Sequence, residues 1–124
     1  MTDPVSDLVR DIAAGTGIGD SVYADTVQLD ATVPGWRFHR EGAQAVREAL
    51  RGWYADPGSY EELHRTLLPG GELVTFTLIW EEDGVPHAAH QAHVLGIEGD
   101  RVVRHEVWCG GRWSAELQAE MADA

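Results

Sequence analysis

Residues 72–97 read ELVTFTLIWEEDGVPHAAHQAHVLGI, and this stretch decides the fold. Val74, Phe76, Leu78 and Trp80 recur at period two with Thr75, Thr77 and Ile79 between them, the pattern of a strand with one apolar face. Asp83-Gly84 follows, a two-residue hairpin signal. A second strand is therefore expected from about Val85 to Ile97, although its Ala and Gln content suits a helix as well. With Asp83-Gly84 as the loop, Glu82 pairs with Val85, Trp80 with His87, Leu78 with Ala89 and Phe76 with Gln91. Directly opposed residues share a face. Val74, Phe76, Leu78 and Trp80 thus lie on one face with His87, Ala89, Gln91, His93, Leu95 and Ile97, the more apolar face and the one expected to meet the helices and a pocket.

Downstream, Glu98-Gly99-Asp100 reads as a turn and Arg101 to Cys109 as the last strand, with Gly110-Gly111 a further turn. A three-residue loop pairs Ile97 with Arg101 and His93 with His105, bringing Val103, His105, Val107 and Cys109 onto the same face. A two-residue loop puts Arg104, Glu106 and Trp108 there instead. Ser114 caps a short C-terminal helix through Leu117 and Met121. Upstream, a strand is expected over Tyr60 to Leu67, before the turn Pro69-Gly70-Gly71. Gly42 to Ala55 is the best helix, with Ala43, Val46, Leu50, Trp53 and Tyr54 on one face and Asp56-Pro57-Gly58 as its stop. Val33 to Glu41 reads as a loop, Thr26 to Thr32 as a short strand carrying Asp30, and Asp20 as the cap of a short helix through Tyr23 and Ala24. The first helix starts at Asp3-Pro4, runs an apolar stripe through Val5, Leu8, Val9, Ile12 and Ala13, and ends at Gly15-Thr16-Gly17. Helices, a short strand, a helix and then a run of antiparallel strands make an α+β protein, with helices on one face of a curved antiparallel sheet.

The chain has 124 residues, which fits one domain over 1–124. Apolar residues make up 44% and charged residues 24%, the mix of a folded globule. Nine basic against 21 acidic residues give a net charge of −12, which repels phosphate backbones and anionic lipid, so neither nucleic acid nor a membrane surface is an expected partner. Cys109 is the only cysteine, so no intrachain disulfide or CxxC pair forms. That fits a reducing cytoplasm. Met1-Thr2-Asp3-Pro4 shows no secretory leader pattern. The longest stretch free of Asp, Glu, Lys and Arg, Gly84 to Ile97, holds three histidines and a proline, so no membrane span is expected.

The order of elements resembles the nuclear-transport-factor-2-like superfamily, which includes SnoaL-like polyketide cyclases and ketosteroid isomerases. Tyr23-Ala24-Asp25 before the strand Val27–Asp30, Trp36-Arg37-Phe38-His39-Arg40-Glu41-Gly42 leading into the helix Ala43–Tyr54, and the closing hairpins carry the resemblance over nearly the whole chain. It implies a cone-shaped fold, a cystatin-like α+β roll whose bent sheet wraps on the N-terminal helices around a deep apolar pocket. By the same resemblance Asp30 corresponds to the general base of ketosteroid isomerases. His93, counted from the preceding hairpin, falls where those enzymes place a protonated Asp; counting back from the next strand gives Ala92. Their helix tyrosine is matched by Ile12, which leaves that role empty. Family members commonly pair as dimers.

Asp30, His93 and His105 are accordingly the candidate catalytic residues: Asp30 a base with its pKa raised by burial, the two histidines hydrogen-bond donors. Trp36, Phe76, Leu78, Trp80, Gln91, Leu95 and Val107 are the candidate pocket lining for a small hydrophobic molecule. His87, His90 and His93 look like a metal run, but on a strand His87 and His93 lie ~20 Å apart and His90 points the other way. No metal and no cofactor are expected. Cys109 reads as a small buried hydrophobe, and His39 and His64 as surface residues. The functional readings are a cofactor-independent isomerase, cyclase or lyase; a non-catalytic binder of the same ligand; and a dimeric module with a vestigial pocket. A homodimer is expected through the other sheet face, which carries Leu73, Thr75, Thr77, Ile79, Ala88, His90, Ala92, Val94, Val102, Arg104, Glu106 and Trp108.

Overall fold

The computed structural model describes residues 3–123, so Met1 and Thr2, part of the segment read as lacking a leader, lie outside the described residues, as does Ala124. The elements are α1 (Pro4–Ala14), β1 (Tyr23–Val33), β2 (Trp36–Glu41), α2 (Ala43–Trp53), β3 (Gly58–Leu68), β4 (Gly71–Glu82), β5 (Val85–Glu98), β6 (Arg101–Ser114) and α3 (Ala115–Ala122). The strands form one curved, unclosed sheet in the order β2-β1-β6-β5-β4-β3. Every neighbouring pair is antiparallel except β1 and β6, which run parallel. The chain leaves β1–β2, passes through α2 and the β3–β5 meander, and returns beside β1, a long connection of the kind a parallel pair requires.

The β4–β5 hairpin has the register its turn dictates: Glu82 faces Val85, Trp80 faces His87 and Phe76 faces Gln91. The next hairpin departs from the expected three-residue loop. Glu98 pairs with Arg101 around Gly99-Asp100, and Ile97 pairs with Val102, but Gly96 pairs with Arg104. Val103 is thus an extra residue, a β-bulge that reverses the parity a second time. His105 therefore still faces inward, opposite Leu95 instead of His93. Val102 turns into the core, where it is fully buried, so the expected places of Val102 and Val103 are exchanged.

β6 also runs past Cys109 to Ser114, because Gly110-Gly111 is a second bulge within the strand and no turn. Gly111 has φ of 114°, a backbone that side-chain-bearing residues rarely adopt. The segment read as a loop after Val33 contains β2, joined to β1 by the Pro34-Gly35 turn with Val33 opposite Trp36. The short helix expected at Asp20 is a turn, and Tyr23 and Ala24 already belong to β1.

Two helices close the inner face. Asp3 caps α1, accepting from the Ser6 amide at 2.8 Å. Gly15 ends α1 in the left-handed region at φ 71°, and a Cβ there would lie 2.4 Å from the carbonyl carbon of Asp56, so only glycine fits. Val5, Leu8 and Ile12 of α1 and Val46 and Leu50 of α2 share one buried cluster with Val27, Leu29, Val74, Phe76, Leu95 and Val107 of the sheet. Among the described residues, no helix is long and apolar enough to cross a membrane.

Candidate functional site

The inner face of the sheet divides along its length. Toward one end, Phe76, Leu95 and Val107 are packed into the cluster that includes α1. Toward the Asp83-Gly84 hairpin, a pocket of about 640 Å³ opens. Leu78, Trp80, Ala89 and Gln91 line it from β4 and β5, and Cys109 and Arg112 from β6. Trp36 and Phe38 of β2 and Trp53 and Tyr54 at the end of α2 complete the aromatic wall. Phe38 meets Trp53 edge-on at 5.5 Å, and Trp53 meets Tyr54 at 6.2 Å.

Of the expected lining, Trp36, Leu78, Trp80 and Gln91 are on the pocket surface. Phe76, Leu95 and Val107 are not; they belong to the solid core beyond Gln91. Face parity placed them correctly toward the helices, but position along the strand decides between core and cavity. Trp53, from the apolar face of α2, is on the wall. Tyr54, from the same helix face, and Cys109, expected as a small buried hydrophobe, both reach the lining. Phe38 was missed because β2 is exposed nearly throughout and shows no apolar period.

Below the pocket floor runs a hydrogen-bonded row of buried groups. The Tyr54 hydroxyl donates to Gln91 Oε1 at 2.5 Å. His93 Nε2 is 2.9 Å from the same Oε1, His93 Nδ1 is 2.7 Å from His105 Nε2, and His105 Nδ1 is 2.8 Å from the Tyr23 hydroxyl. Phe76 stacks on His93 at 5.1 Å. Burial pushes the His93 pKa down to about 3, and burial together with the neighbouring His93 holds His105 well below its usual value. Burial raises both Tyr23 and Tyr54 well above the usual phenol range. All four groups are therefore neutral at pH 7. The two histidines are brought together, but Gln91 and Tyr54 stand between them and the cavity.

Asp30 does not join them. In β1, Val27, Leu29 and Ala31 are buried, and Asp30 points to the opposite face with its side chain 31% exposed. There His39 Nδ1 lies 3.1 Å from its carboxylate, and Glu106 of β6 is its neighbour in register. The expectation of Asp30 as a pocket base is corrected by this geometry: strand alternation turns it away. His39 bridges Asp30 and Glu41, and the hydrogen bond to Asp30 first, then the one to Glu41, raises its pKa. The charged groups on the lining are Asp56, Glu82 and Arg112. Glu82 pairs with Arg112 and accepts from Trp80 Nε1 at 3.0 Å, while the Arg112 guanidinium lies over the Trp80 ring at 5.6 Å. Among the described residues, no group of three or more His, Cys, Asp or Glu is placed to hold a metal ion. His87 stacks on Trp80 and His90 lies on the opposite face beside Trp113.

No family model and no curated protein matches the sequence. Solved structures do match. A candidate isomerase from Rhodopseudomonas palustris superimposes with a TM-score of 0.64 at 15% identity over 100% of both chains. A candidate isomerase from Bacillus subtilis gives 0.65 at 13% identity over 86% of each chain. An NTF-2 like protein of unknown function from Burkholderia xenovorans gives 0.61 at 14% identity, covering 95% of this chain and 88% of the other. At these identities the likeness concerns the fold, and the fold is the nuclear-transport-factor-2-like one.

Proposed function

From this fold and its open pocket, we propose that the protein binds a small, flat, largely apolar molecule without transforming it. The pocket of about 640 Å³ with its walls of Trp36, Phe38, Trp53, Tyr54, Leu78 and Trp80 carries the reading. Asp30, the base assigned to the isomerase, cyclase or lyase reading, lies on the far face. The histidine pair lies behind Gln91, and Glu82 and Arg112 are paired with each other.

Ala89 offers a test. It is buried, lies opposite Leu78 and borders the cavity. Ala89→Phe is expected to fill the cavity and weaken binding of a neutral tricyclic probe, 9-fluorenone, by roughly tenfold or more, at a stability cost of about 1–3 kcal/mol that leaves the protein folded. Quenching of the wall tryptophans reads the binding. An unchanged affinity in Ala89→Phe, or no quenching of the wild type, would defeat the reading.

A homodimer through the outer sheet face is part of the same proposal. Leu73, Thr75, Thr77, Ile79, Ala92 and Val94 make an apolar half on β4 and β5, with Trp108 46% exposed beside them. Two expected members fall away: Val102 is in the core and Ala88 is covered. The other half is charged, with Asp30 and Glu106 beside Arg37, His39 and Arg104, a mixture that is self-complementary across a two-fold axis. Sedimentation at micromolar concentration is expected to give twice the 13.6 kDa chain mass. Trp108→Arg is expected to give the single mass with the fold intact. A wild-type monomer would rule the interface out.

A further inference from the structure

Resting on the binder reading, we propose that the pocket selects ligands bearing a hydrogen-bond acceptor, such as an aromatic ketone, because Gln91 can offer them only its amide N–H. The constraint originates at the two ends of the buried row. Tyr23 and Tyr54 each carry one hydroxyl hydrogen, and both hydroxyls are buried. A buried O–H without an acceptor costs a full desolvation penalty. Tyr23 therefore donates to His105 Nδ1, which requires the hydrogen of His105 on Nε2. That N–H donates to His93 Nδ1, so the His93 hydrogen is on Nε2 and donates to Gln91 Oε1. Tyr54 donates to the same oxygen from the other side. Reversing the row would point the Gln91 amide at His93 and leave the hydroxyl hydrogens of both tyrosines without an acceptor.

The tyrosines at the two ends of the row thus fix the orientation of Gln91, which lies between His93 and Tyr54. Gln91 Oε1 is saturated by two donors. Gln91 Nε2 is turned toward Cys109, 3.4 Å from its Sγ, and both residues are on the pocket lining. The second hydrogen on Nε2 has no partner among the described residues. An occupant meets a donor whose orientation is set in advance, at the floor of a cavity walled mainly by apolar and aromatic side chains. A donor group placed there meets no acceptor on Gln91 and loses its water.

Three nearly isosteric probes separate the cases: 9-fluorenone carries an acceptor, fluorene carries none, and carbazole carries an N–H donor. The wild type is expected to bind fluorenone roughly tenfold more tightly than fluorene or carbazole. Gln91→Glu keeps an oxygen for Tyr54 and His93 but replaces the N–H by a second oxygen; it is expected to reverse the preference toward carbazole. A second readout needs neither a ligand nor a variant. Nitrogen chemical shifts at neutral pH are expected to show both His93 and His105 as Nε2–H tautomers. Equal binding of fluorenone and fluorene by the wild type, or an Nδ1–H tautomer at His93, would overturn the proposal while leaving the binder reading standing. Failure of all three probes to bind would defeat the binder reading and this inference with it.

Discussion

His93→Ala is expected to destabilise the fold by about 4 kcal/mol, the largest loss anticipated for a single side chain in this protein. Three losses act together. The imidazole is almost wholly buried against Phe76, so its removal leaves a cavity. His105 Nε2–H loses its acceptor in a site without water contact, and Gln91 Oε1 loses one of two donors. His93→Phe restores most of the volume and leaves the polar loss, about 1–3 kcal/mol. Replacing both histidines by Phe removes the mismatched pair at once. That double variant is expected to be more stable than the two single losses added together predict, by about 1 kcal/mol or more. Urea titrations followed by far-UV circular dichroism measure each value. A His93→Ala loss below about 1 kcal/mol would show that the row contributes nothing net to the fold.

What could be read in advance divides along a physical line. The β4–β5 hairpin was legible to the residue, because Asp83-Gly84 fixes a two-residue turn and period-two alternation fixes the face. The same parity put His93 and His105 on one inner face, and they meet there, although through a different register. The bulge at Val103 is the reason: it compensates a loop one residue shorter than expected, and no residue pattern at 101–104 announces it. Gly110-Gly111 did announce something, but a glycine pair marks a turn and an in-strand bulge equally.

Asp30 was misplaced by analogy. The alternation of Val27, Leu29 and Ala31 was present in the sequence and already sent Asp30 outward. β2 was hidden because an exposed strand pairs through its backbone and has no apolar face to show. The extent of the pocket was hidden too, since whether Phe76 or Leu78 borders it depends on where the helices stop covering the sheet, a property of the assembled fold.

Acid is expected to unfold this protein from an unusually high pH, and the histidine pair is the cause. Both imidazoles are neutral and buried in the fold, with His93 down at about 3 and His105 well below its usual value, against 6.5 for the free side chain. Below pH 6.5 the unfolded chain therefore binds two protons that the folded chain refuses. Stability falls as pH falls, by about 1.4 kcal/mol per pH unit for each imidazole that stays neutral in the fold, which for His93 holds down to about pH 3. At pH 4.5 His93 alone accounts for a loss of about 3 kcal/mol, and His105 adds to it in the same direction, a large share of the whole stability of a small domain. Two other groups titrate differently. His39 is raised by Asp30 and Glu41, so its contribution is fully present below 6.5 and lost as pH rises through its folded value; being exposed to solvent, it offsets little. Asp3, lowered chiefly by the Ser6 amide, adds a loss only as pH falls below its ordinary value of 3.8. Falling pH also relieves self-repulsion among the 21 acidic residues, but carboxylates take up protons mostly near pH 4, below the start of the histidine window. Urea midpoints measured from pH 7.5 to 4.5 are expected to drop steeply below 6.5. In His93→Gln/His105→Gln, which lacks both imidazoles, the profile is expected to flatten over that interval even though the variant is less stable at pH 7. A wild-type midpoint that stays level between pH 7 and 5 would mean that the two rings accept protons within the fold and that the row admits charge.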